Sequence, residues 1–134
     1  MADAASVALQ RALVARLRAA APLAGGRVYD RAPQDVAFPH VEIGAIEQSD
    51  EGGACVEPLT LTATLHVWSR AVGAVECRRL AGQIRAALRD WTPDLATEGW
   101  SAAPLTIEQV RDMADPDGLT THGVVTVTAL IDAL

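Results

Sequence analysis

Leu59-Thr60-Leu61-Thr62-Ala63-Thr64-Leu65-His66-Val67-Trp68-Ser69-Arg70 is the stretch that decides how this chain folds. Leu59, Leu61, Ala63, Leu65 and Val67 fall on one side of an extended backbone, and Thr60, Thr62, Thr64, His66 and Trp68 fall on the other. At ~3.3 Å per residue this strand would reach roughly 40 Å, longer than an ordinary one. Phe38–Glu47 precedes it with the same period, setting Val41, Ile43 and Ala45 against His40, Glu42 and Gly44, and Pro39 suits a strand opening. Between the two lies Asp50-Glu51-Gly52-Gly53-Ala54-Cys55-Val56-Glu57, so the pair reads as a long β-hairpin arm with an acidic, glycine-rich tip. The domain's own core gives little reason for such an arm, which invites a partner.

Outward from the hairpin, residues 3–21 read as a helix. Val7, Leu9, Leu13, Val14 and Leu17 recur at three- and four-residue spacings, Asp3 or Ser6 stands at its start, and Pro22 with Gly25-Gly26 ends it. Arg27–Asp30 is a short strand. Residues 74–91 form a second helix with Cys77, Leu80, Ala81, Ile84, Ala87, Leu88 and Trp91 on one stripe and a Thr92-Pro93 stop. Residues 92–103 read as a loop. Leu105–Met113 is a strand with Leu105, Ile107 and Met113 on one face, and Asp115-Pro116-Asp117-Gly118 has the chemistry of a tight turn. Gly123–Asp132 is the last strand, with Val125, Val127, Ala129 and Ile131 alternating against Val124, Thr126, Thr128 and Leu130. The expected class is α+β: one mostly antiparallel sheet with two helices packed on one face, in the order α-β-β-β-α-β-β.

Composition narrows the function. The 134 residues carry 11 basic and 17 acidic side chains, a formal net charge of −6, and half of them are hydrophobic. That length suits a single domain spanning 1–134 and is long enough to bury a core without a metal or disulfide staple. A compact acidic chain is a poor candidate for wrapping duplex DNA, an affinity that comes from cations neutralising phosphates. No apolar run approaches the ~20 residues that span a bilayer, so no membrane partner is expected. The N-terminus has no basic stretch followed by an apolar one, so no signal peptide is expected. Cys55 and Cys77 form no CxxC pair and read as free thiols of a reducing compartment. Every basic residue is Arg, and neither Lys nor Asn occurs, a bias of GC-rich bacterial genomes.

The sequence offers little to a catalyst. His40, His66 and His122 stand in three separate segments without HxxxH or HExxH spacing, so each reads as a surface histidine rather than a zinc ligand. Asp115-Pro116-Asp117-Gly118 lacks the closing acid of a calcium loop. There is no nucleophile elbow, phosphate loop or dinucleotide fingerprint, and the absence of Lys excludes Schiff-base chemistry. Cys77 lies on an apolar helix stripe, where packing outweighs nucleophilic use. The expectation is a non-enzyme without catalytic, cofactor-binding or metal residues. Of the three tryptophans, Trp91 completes a core stripe, Trp100 lies in a loop, and Trp68 shares the polar strand face as a half-buried or interface anchor.

Four segments carry a resemblance: Tyr29-Asp30-Arg31-Ala32-Pro33, Phe38-Pro39-His40-Val41-Glu42-Ile43-Gly44, His66-Val67-Trp68-Ser69-Arg70, and Asp115-Pro116-Asp117-Gly118-Leu119-Thr120-Thr121-His122-Gly123. In order and spacing, from about residue 5 to the last strand, they resemble the tail-completion or tail terminator proteins of long-tailed phages, prophages and gene transfer agents. The resemblance implies a homomeric ring, typically a hexamer, on the head-proximal end of the tail tube. It would stop tube polymerisation and form the head–tail joining surface, in the neck or tail of a particle assembled in the bacterial cytoplasm. Implied partners are further copies of the chain, the tail tube protein and the head-side connector, with DNA passing through the lumen unbound.

On that reading the hairpin (Val41–Ile46 and Leu59–Arg70) lies at subunit or tube contacts. The interface candidates are Asp50, Glu51, Glu57, Trp68, Arg70, Asp115 and Asp117, with Arg70 as an ion-pair donor to Asp115 or Asp117 of a neighbour or, equally, an ordinary surface cation. A head-completion protein (adaptor or stopper) of the same neck region is the alternative. A small-molecule-binding or hydrolase domain is a further one, and it would need a polar pocket that the sequence does not display.

Overall fold

The computed structural model describes residues 3–50 and 58–134; Glu51 and Glu57, and the side chain of Asp50, lie outside the described residues. Helix α1 (Ala5–Ala20) runs through a 3-10 turn at Pro22–Ala24 into strand β1 (Val28–Tyr29), followed by β2 (His40–Asp50) and β3 (Leu59–Ser69). Helix α2 (Val75–Leu88) leads through a 3-10 turn at Ala96–Glu98 to β4 (Trp100–Ala102), β5 (Thr106–Ala114) and β6 (Thr121–Ala133). The sheet is ordered β1-β2-β3-β6-β4, with β5 also on β6, and every pairing except β1 with β2 is antiparallel.

The period-two pattern of β3 does what it predicts. Leu61, Ala63, Leu65 and Val67 are fully buried, while Thr60, Thr62, Thr64, His66 and Trp68 stay half-exposed on the opposite face. Val125, Val127, Ala129 and Ile131 of β6 join the buried face. Leu9, Leu13 and Leu17 of α1 and Leu80, Ile84 and Leu88 of α2 cover it, forming one core. Helix α2 can lie this close because residue 123 is glycine: a Cβ there would come within 2.8 Å of Cys77 Sγ.

The hairpin is built into the sheet rather than standing off it. β3 pairs with β2 on one side and with β6 from Leu59↔Ile131 to Ser69↔Thr121 on the other, so it is the spine of the sheet. Two bulges redirect side chains in ways simple alternation does not predict. In β2 the register shifts between Ile43 and Ile46, which places Ile46, not Ala45, on the core side opposite Ala63. In β5 the shift between Ile107 and Gln109 sends Met113 to the free face opposite His122, away from Ile107.

Other boundaries also differ. The segment expected as a loop at 92–103 contains β4, which lies end to end with β5 along one edge of β6; the break falls at Pro104, which has no N–H to donate. Neither Asp3 nor Ser6 caps α1; its N-cap is Ala4, with no side-chain hydrogen bond. Helix α2 stops at Leu88, before Thr92-Pro93: Arg89 leaves the helical region with ψ 124°, and Asp90 then turns into the left-handed region at φ 59°. Trp91, expected in the core, packs against its margin with the Arg16 guanidinium 5.3 Å from its ring.

Candidate assembly surfaces

The helices cover one face of the sheet, and among the described residues no helix covers the other. Strand register builds its central feature: Trp68 sits opposite His40 on β2 and His122 on β6, while His66 sits opposite Glu42 and Val124. His66 and His122 are therefore diagonal neighbours, and His66 Nδ1 lies 2.7 Å from His122 Nε2, so one nitrogen donates and the other accepts. The His122 ring stacks flat on Trp68, with centroids 3.9 Å apart and planes at 6°. The expectation of three unconnected histidines fails here. Nothing in local spacing reveals which rungs of two strands, separated by more than fifty residues, will face each other.

Burial lowers the pKa of both His66 and His122; Glu42 opposes this at His66, while His66 itself adds to it at His122. Burial thus favours the neutral form of both rings. His40, the third histidine, is buried in an edge-to-face arrangement with Phe38, ring centroids 4.9 Å apart, with its Nδ1 unpartnered, and burial depresses its pKa as well. Among the described residues, no three His, Cys, Asp or Glu side chains gather as a metal site.

The end of the sheet where β3 stops and β6 starts holds Arg70, Asp115 and Asp117. The Arg70 guanidinium sits 4.2 Å over the Phe38 ring, and its Nε donates to Thr120 Oγ1 at 3.3 Å. Asp117 closes its own turn. Its carboxylate accepts from Leu119 N and Thr120 N, both at 2.8 Å, and from Thr120 Oγ1 at 2.6 Å. These bonds, with a smaller contribution from the Arg70 charge, bring its pKa down to about 2. Asp115 accepts from Asp117 N at 3.1 Å. All three side chains thus already have partners within the chain. Around this end Val72 and Leu119 stand exposed, two apolar side chains that sequence reading missed because each lies outside any periodic run.

Asp50 closes β2 at the opposite end, so the structure does not gather the candidates into one patch. The described candidates divide between the two ends of a sheet roughly 35 Å long. Between those ends run two lateral edges. β1 covers β2 only at Val41 and Glu42, leaving residues 43–50 open among the described residues. On the far side, β5 is an outer strand beside a groove of about 500 Å³ lined by Arg85, Arg89, Ile107 and Val110. Such edges carry unpaired backbone groups ready to accept another strand.

Residues 11–132 match the family described as "Tail completion protein gp17". Among solved structures, a chain of the "Virion of native gene transfer agent (GTA) particle" superposes with a TM-score of 0.84 at 21% identity, covering 96% of this chain and 97% of that one. At that identity the likeness speaks for the fold. The bacteriophage SPP1 gp17 protein superposes with a TM-score of 0.61 at 28% identity, covering 97% of this chain and 93% of that one. No curated protein matches the chain in sequence.

Proposed function

The chain belongs to the tail completion protein gp17 family, and from that premise we propose that six copies close into a ring at the head-proximal end of the tail tube. Its role is structural, in the neck or tail of a phage-like particle. In this reading it has no enzymatic activity: the ring ends tube polymerisation and offers the surface on which the head-side connector docks. The whole chain, 1–134, acts as one domain.

The observation that carries the ring is the relation between the two open edges. Following the antiparallel pairings from β2 through β3 and β6 to β5, the two edge strands run in opposite directions. Copies related by rotation about an axis along the strands keep their direction. The β2 edge of one copy then meets the β5 edge of the next as an antiparallel pair, and repetition closes a heterologous ring.

The hairpin tip, with Asp50, Glu51 and Glu57, then lies on one rim, and Arg70, Asp115 and Asp117 lie on the other, with Trp68 close to that second rim. A ring with unlike rims can accept tube protein on one side and refuse it on the other, and that is what termination requires. Six copies carry roughly −36 in formal charge, which suits a lumen through which DNA passes without binding.

Deletion of the gene tests the function. Overlong tails or unjoined heads and tails are expected, and normal particles end the reading. Binding of the purified chain to tail tubes, and not to portal complexes, separates it from a head-completion protein. Removing residues 50–57 tests the place of the tip: unchanged rings and tail length would refute it.

A further inference from the structure

We propose that His66 and His122 form a binding site for one divalent transition-metal ion of the zinc, nickel or copper class. The inference is independent of the ring. It rests on two imidazole nitrogens held facing each other, His66 Nδ1 and His122 Nε2, at 2.7 Å. Zinc–imidazole bonds of about 2.0–2.1 Å at a tetrahedral angle separate two ligand nitrogens by about 3.3 Å. Opening the pair by about 0.6 Å, a small swing about the side-chain torsions, is enough to admit an ion once the donor ring carries its proton on its other nitrogen.

Both rings are oriented by their surroundings. His66 lies across Gly44, in the β2 bulge, where a Cβ would stand 2.6 Å from its Nε2. Any other residue at 44 would push the ring away, so the bulge and its glycine make the space that the imidazole occupies. His122 is held flat on the Trp68 indole. Glu42, opposite His66 on β2, supplies negative charge beside the pair from a distance, while its Oε2 accepts from Ala32 N at 2.8 Å. Arg111 is the opposing charge near His122.

Imidazole donors suit zinc, copper and nickel better than magnesium or calcium. Among the described residues no third His, Cys, Asp or Glu joins the pair, so the remaining coordination positions face the open side of the sheet and take water. That makes the site one of modest affinity, with positions free for a donor from whatever covers this face.

The experiment is calorimetric titration of the full chain with zinc chloride, alongside NMR of its histidine ring signals. One equivalent should bind saturably and move the His66 and His122 resonances while leaving buried His40 in place. His66→Gln and His122→Gln should each weaken binding roughly tenfold or more, the scale at which even outer-sphere changes to metal sites register. Absence of saturable uptake, or uptake that both histidine variants leave unchanged, overturns the site and leaves the pair a hydrogen bond only. If the variants fail to fold, as judged by metal-free melting curves, the wild-type NMR shifts decide: zinc that binds without moving His66 and His122 overturns the proposal.

Discussion

Arg11 on α1 grips Glu98, eighty-seven positions later, through both carboxylate oxygens: Nε donates to Oε2, and Nη2 donates to Oε1 at 3.0 Å. A second bond from Nη2 reaches Asp94 O at 2.9 Å, and Thr97 Oγ1 also donates to Glu98 Oε1 at 3.0 Å. The Glu98 residue is only 9% exposed, so its charge depends on these partners. The Arg11 hydrogen bond is the main cause that lowers its pKa from the ordinary 4.5. A depressed carboxylate pKa contributes stability that is complete above the ordinary value and is lost as pH falls through the lowered one. Glu98→Gln should therefore lower the melting midpoint at pH 7 and flatten its decline below pH 4.5. Combined with Arg11→Met, the effect should fall short of the sum of the two single changes, measured by thermal melting across pH.

Asp117 follows the same sign at lower pH. Held at about 2 instead of 3.8, it stabilises the 115–120 turn fully above pH 4 and releases it as pH approaches 2. Carboxyl NMR titration should find Asp117 among the last acids to protonate. Asp117→Ala should increase amide exchange at Leu119 and Thr120, whose N–H groups lose their acceptor.

Close packing of α2 on the sheet gives a prediction about the core. Gly123→Ala drives a methyl toward Cys77 Sγ at 2.8 Å and Val67 Cβ at 3.2 Å, and it should cost about 1–3 kcal/mol in urea denaturation. Cys77→Ala in the same chain should recover part of that loss, a non-additivity that two distant sites would not show. Leu65→Ala, fully buried on β3, should cost about 2–5 kcal/mol. Burial also pushes the Cys77 thiol up to about 11. In a Cys55→Ser background, iodoacetamide at pH 8 should label Cys77 only after unfolding.

The edge pairing predicts a separation of folding from assembly. Val110 on β5 is 41% exposed beside the Arg85 and Arg89 groove, so Val110→Lys should change stability by no more than about 0.5 kcal/mol. A charge on that edge should nevertheless block strand addition. Purified Val110→Lys chain should melt like the parent yet fail to form rings on tail tubes in electron micrographs. Rings that form normally would exclude β5 as the joining edge.

Elements with an uninterrupted period were legible from residues alone. β3 alternates from Leu61 to Ser69 and β6 from Val125 to Ile131, and α1 and α2 carry broad apolar stripes, because burial of one face imposes a period that composition displays directly. The turn at Asp115–Gly118 was legible for the same local reason: an Asp carboxylate that closes on the next backbone N–H groups needs nothing distant.

Tertiary structure decided everything that depends on register. The bulges at Gly44–Ala45 and at Glu108 each reverse the sides on which later residues fall; Gly44 is a local hint of the first, and nothing in β5 marks the second. β4 is a strand only because β6 extends far enough to pair with it. The His66–Trp68–His122 cluster exists because one rung of β3 meets one rung of β6, a relation set by the core on the opposite face. Which face each strand buries is thus a local property written into the order of residues. Which side chains share the free face depends on pairings between distant segments, and those are settled only when the core packs.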